Sequence, residues 1–140
     1  MNRWIAALAA TALGVAALAQ DRSPAPAGAE VYFIAPRDGE TIHGPVTVKF
    51  GLKGMGIAPA GVKFDNTGHH HLLIDTDLSE VKLDAPLPAT DNIRHFGKGQ
   101  TETTLTLPPG KHTLELLFAD YLHVPFDPPL HSKKITIIVK

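Results

Sequence analysis

Apolar residues recur at every second position in several short stretches, the period of a half-buried strand. Pro45 to Leu52 sets Val46, Val48, Phe50 and Leu52 against Thr47 and Lys49. Thr101 to Leu107 sets Thr103, Leu105 and Leu107 against Glu102, Thr104 and Thr106. His112 to Phe118 turns Leu114, Leu116 and Phe118 inward, and Lys133 to Val139 does the same with Ile135, Ile137 and Val139. Val31 to Ala35 and His69 to Asp77 are further strand candidates, with Val81 to Leu83 a short and weaker one. Twelve Pro and twelve Gly punctuate the chain, and no stretch keeps a helical period over a useful length. About seven short strands predict an all-β fold, an immunoglobulin-like antiparallel β-sandwich, with a small β-barrel as the rival.

The N-terminus departs from this pattern. Met1-Asn2-Arg3-Trp4 carries one positive charge, Ile5 to Leu18 is almost entirely apolar, and Ala17-Leu18-Ala19 offers the small residues of a cleavage site. Residues 1 to 19 are expected to be a secretory signal peptide, with an uncleaved anchor as the alternative. Residues 20 to 30, with Ser23-Pro24-Ala25-Pro26-Ala27-Gly28, are expected to be a flexible leader, and residues 31 to 140 the sandwich domain. The expected location is periplasmic or secreted, with no membrane span after cleavage.

Composition narrows the chemistry. The formal net charge is -1 in 140 residues, and losing Arg3 makes it one unit more negative. There is no basic footprint for nucleic acid. Cysteine is absent, which removes disulfides, thiolate zinc sites and Cys nucleophiles together. No serine sits in a nucleophile elbow, and Gly97-Lys98-Gly99 lacks phosphate-loop spacing. No catalytic constellation is recognisable, so an enzyme is not expected.

Histidine is what remains: eight, three of them consecutive. If the strands alternate up and down, the connections bearing His69-His70-His71, His95, and Asp120, His123 and His131 share one end of the sandwich. His43 and His112 fall at the other end. Reading Thr101–Leu107 and His112–Phe118 as a hairpin closed by Pro108-Pro109-Gly110 brings the His95 and His123 segments together at its mouth. Parity sends His70 and Asp120 inward and His69 and His71 to the other face.

Neutral imidazoles suit copper(II) and zinc, and Met55 is the only methionine after Met1. The expected metal site is His69, His71, His95 and His123, with His70 and Asp120 supporting or completing it. Its function would be metal carriage, buffering or sensing. The rival is a non-metal interaction module of the cell envelope, recognising another envelope protein, a glycan or a small anion. In that reading His70 and Asp120 form a structural hydrogen-bonded pair.

The motifs Gly68-His69-His70-His71-Leu72-Leu73-Ile74-Asp75, His95-Phe96-Gly97-Lys98-Gly99-Gln100-Thr101-Glu102 and Leu107-Pro108-Pro109-Gly110-Lys111-His112-Thr113-Leu114, then Asp120, His123, Pro128-Pro129 and Ser132, resemble the bacterial domain-of-unknown-function family 4399 (DUF4399). The resemblance runs from about Val31 to Lys140. It implies a small periplasmic or secreted β-rich domain and no particular activity.

Overall fold

The alternating stretches pair into two sheets. The computed structural model describes Gly14 and residues 21–140. Apart from Gly14, the expected signal peptide lies outside the described residues. Among the described residues nine strands follow in chain order: β1 (Glu30–Ala35), β2 (Thr41–Ile42), β3 (Val46–Lys53), β4 (Gly56–Ile57), β5 (Thr67–Ile74), β6 (Ile93–His95), β7 (Glu102–Leu105), β8 (Gly110–Ala119) and β9 (Ile135–Val139). One sheet has the order β1-β3-β7; the other has β2-β9-β8-β5-β4, with β6 also on β5. The protein is all-β and sandwich-like, as the alternation predicts. No helix among the described residues is long and apolar enough to cross a membrane.

The core lies between the sheets. Val46, Val48 and Phe50 of β3 meet Leu72 and Ile74 of β5, Leu114, Leu116 and Phe118 of β8, and Ile135 and Ile137 of β9. These are the inward residues that alternation selects. β5 and the end of β8, however, are buried on both faces. Leu78, Val81, Leu83 and Leu87 fold over the outer face of the six-stranded sheet and pack on Leu117 and Ala119. Val81 to Leu83 therefore forms no strand; its apolar side chains cover a sheet instead.

One further expectation gives way. β7 and β8 are not a hairpin: β7 pairs with β3, whereas β8 pairs with β5 and β9. The chain changes sheets at Pro108-Pro109, where two successive residues lack the N–H a ladder needs. Residues 22–25 make hydrogen bonds to the 120–127 loop. Ser23 and Ala25 exchange backbone hydrogen bonds with Asp127 at 2.9 and 3.1 Å, and Arg22 Nε donates to the Pro125 carbonyl at 3.2 Å. The 120–127 loop is thus strapped from outside by the residues just before the first sheet strand.

One glycine is fixed by close approach. A Cβ at Gly68 would lie 2.3 Å from the Ala119 carbonyl oxygen, so only glycine lets β5 start flush against the end of β8. The three histidines that follow inherit that placement.

Candidate metal centre

Strand alternation divides the triple. His70 points into the core, with ring centroids 4.9 Å from Phe50 and 5.1 Å from Phe118. His69 and His71 point to the outer face and are fully buried there, beside Ala119 and Leu117, on which the covering loop packs.

Two other elements add a histidine each. β6 pairs with β5 in a register that sets His95 opposite His71, so both rings share a face. His123 comes from the turn that follows β8. That turn closes with His123 N–H donating to the Asp120 carbonyl and Asp120 N–H to the Val124 carbonyl, both at 2.9 Å. His95 and His123 do meet, with centroids 4.5 Å apart, but because β6 and β8 flank β5 on opposite edges.

The four side chains converge closely. His69, His71, His95 and His123 each offer a ring nitrogen, and all four lie within 4.8 Å of one another. His69 Nε2 and His123 Nδ1 are 3.0 Å apart, a hydrogen bond between rings. His69 Nδ1 and both nitrogens of His71 are buried with no hydrogen-bond partner. Buried polar atoms without partners cost about 1–3 kcal/mol each, so such a group marks a place where a ligand fits. A tetrahedral ion with bonds of about 2.0–2.1 Å needs ligand nitrogens about 3.3 Å apart, so the rings must draw in modestly to close on it. His95 and His123 are the less buried members of the four, and the His95 ring lies close over Gly97, where an added Cβ would be 2.3 Å from its Cε1.

Burial also sets the protonation state. His69 is pushed down to about 4, first by burial and then by His123, His95 and His70. His71 falls to about 2, again chiefly by burial, then by the neighbouring rings. His95 is lowered by burial and by His123. These imidazoles are held neutral, the form that coordinates a metal.

His123 has φ +66°, the left-handed region that a non-glycine side chain enters at a cost of about 1–2 kcal/mol. Asp120 supports that turn. Its Oδ1 accepts from Leu122 N–H at 2.9 Å and Val124 N–H at 3.1 Å, and its Oδ2 accepts from Ser23 Oγ at 2.9 Å. Asp120 is not one of the converging group. The His70–Asp120 pair that the rival reading called for does not form, and neither residue joins the metal-ligand group: both ring nitrogens of His70 are buried without partners, and Asp120 serves the turn. His131 bonds Glu115 at 3.0 Å and lies outside the group. His112 sits at the opposite end of β5, where Asp75 Oδ2 is 2.7 Å from its Nδ1. Ser23 and Arg22 gave no signal in the sequence, because a Ser-Pro-Ala-Pro run looks the same whether packed or free.

His70 yields a first prediction. His70→Leu removes two unpartnered nitrogens from an apolar site at nearly constant volume, against the loss of two ring contacts. It should raise stability by about 1 kcal/mol in urea denaturation and leave metal affinity unchanged. A clear loss of stability would contradict the account of this core position.

Acid gives a second. His70 is pushed down to about 4 by burial, as is His69 by burial and its neighbours. A folded-state value below the unfolded 6.5 means stability that is complete above pH 6.5 and drains away as pH falls toward 4. His70 alone should account for a loss of about 3 kcal/mol over that window. His112, raised by its bond to Asp75, works in the opposite sense and loses its contribution as pH rises through its folded value. Urea midpoints of chelator-treated protein from pH 7 to pH 4 should fall steeply; a flat profile would contradict the burial of neutral rings.

The match to known proteins is confined to family and a distant structural likeness. Residues 48–140 match the family model described as Domain of unknown function (DUF4399). No curated protein matches the sequence. Among solved structures, the chain is similar over 80% of its length to 20% of the endo-beta-1,4-mannanase from Thermotoga petrophila, with 19% identity and a TM-score of 0.46. The chain thus spans about a fifth of that protein, and a likeness of this size carries no argument.

Proposed function

We propose that this chain, which belongs to the DUF4399 family and takes no activity from that membership, is a periplasmic or secreted metal-binding protein. Its ion is copper(II) or zinc, held by His69, His71, His95 and His123. The observation that carries the reading is four ring nitrogens within 4.8 Å of one another, three of the cluster's buried ring nitrogens having no other partner. An all-imidazole set favours copper(II) over zinc in intrinsic affinity, and with no thiolate available it is poorly suited to softer ions. His70 and Asp120 are not ligands in this reading: one packs in the core and the other positions His123. The role is carriage, buffering or sensing, and the secretory pattern of residues 1–19 supports the location.

Calorimetric titration of tag-free protein with copper(II) and with zinc tests this. One ion per chain should bind more tightly than about micromolar, and a His69→Ala/His71→Ala/His123→Ala variant should lose that binding. Weaker binding, or binding unchanged in the variant, overturns the reading.

A further inference from the structure

The charge around the cluster does not balance. Four imidazole ligands bring no negative charge to a divalent ion, and no carboxylate among the described residues joins their group. The carboxylate nearest in chain to His123 is Asp120. Its oxygens are already taken by Leu122 N–H, Val124 N–H and the Ser23 hydroxyl. Nor does a carboxylate accept from any of the four rings, although metal-ligating histidines commonly have such a partner. A divalent ion here would sit against buried rings with its charge uncompensated, which is costly in a medium of low dielectric.

The site is also one-sided. His69 and His71 are fully buried, with Leu117 and Ala119 of the neighbouring strand buried on the same sheet face. His95 is exposed, His123 is half-buried, and Leu122 beside it is 40% exposed. The less buried side of the cluster is therefore the one formed by His95 and His123.

Resting on the metal reading above, we propose that the loaded site takes a small anionic oxygen donor from solvent on its His95 and His123 side, so that the protein carries a metal–anion pair rather than a bare ion. The donor is hydroxide from water or the carboxylate of a small molecule; both supply the charge that the chain withholds. The anion adds as a fifth ligand beside the four ring nitrogens: a carboxylate binds there directly, and hydroxide forms there when a bound water releases its proton to solvent, with no change of oxidation state in either case.

Azide is a suitable probe, because it is a small anion that gives a charge-transfer absorption when bound to copper(II). Copper(II)-loaded wild-type protein, titrated with azide at pH 7, should develop one saturable new band with a matching change in the electron paramagnetic resonance spectrum. The His69→Ala/His71→Ala/His123→Ala variant, exposed to the same copper and then freed of unbound ion by gel filtration as the wild type is, should retain no copper and show no such band. Competition then separates the sources. If acetate suppresses the band at constant pH, a carboxylate can hold the position. If only raised pH suppresses it, hydroxide holds it. Either result supports the proposal. A protein that binds one copper tightly yet shows no azide response overturns the anion position and leaves the metal reading standing. A protein that binds no copper overturns both.

Discussion

Replacing His71 by leucine should make the metal-free protein more stable by about 1–3 kcal/mol while lowering its copper affinity at least about 100-fold. The two effects have one cause. His71 is fully buried, and neither of its ring nitrogens has a hydrogen-bond partner. In the absence of an ion, the ring pays the cost of desolvation and gains only packing. Leucine fills a similar volume against Leu117 and the covering loop with no polar atom to satisfy. Binding reverses the balance, because a metal ion satisfies the nitrogen directly and leucine offers it nothing. Were the cluster a hydrogen-bonded structural network, the same substitution would destabilise the protein, since it would orphan a partner. Urea denaturation of chelator-treated protein and calorimetry with copper(II) read the two signs separately. Destabilisation together with unchanged affinity would favour the structural network.

The Asp120→Ala variant should lose about 3 kcal/mol or more of stability and bind copper about 10–100-fold more weakly, although Asp120 is not a ligand. Its carboxylate is nearly buried and accepts three hydrogen bonds. Two of these close the turn that holds His123 at φ +66°, and the third ties that turn to Ser23. Alanine leaves the amides of Leu122 and Val124 without acceptors, and the backbone of His123 is then free to relax out of the left-handed region. The ring moves with it. Asp120→Asn keeps a carbonyl for the two amides and should recover much of both losses. A residue that bound the ion itself would show the opposite order of severity, with affinity collapsing in the asparagine variant while stability held. Retention of both quantities in the alanine variant would contradict the positioning role.

Much of this arrangement can be read from residue alternation alone. Val46, Val48 and Phe50, or Leu114, Leu116 and Phe118, declare their inward face because the opposite residues are polar. The same parity separates His70 from His69 and His71. Pairing is less legible. Leu105 and Leu114 look like the two arms of a hairpin, yet they enter different sheets, because nothing in a short alternating strand encodes which edge it joins. β6 is three residues with one apolar side chain, too short for a period to register, and it carries a converging histidine. Val81 and Leu83 show how an apolar pair can read as strand and act as a lid over β8. Asp120 illustrates another limit: its parity points inward, but its role is set by Leu122, Val124 and Ser23, and Ser23 lies 97 positions away in the chain. The family model begins at residue 48, so it leaves out that strap as well.

The central claim is that one ion sits among four specific rings, and its position can be measured. Crystals of copper-loaded protein, with anomalous data collected on both sides of the copper edge, should show a single strong peak. That peak should lie about 2.0–2.1 Å from one ring nitrogen each of His69, His71, His95 and His123. A peak at His131 and Glu115 or at His112 and Asp75 instead, or no peak from protein saturated with copper, would contradict it.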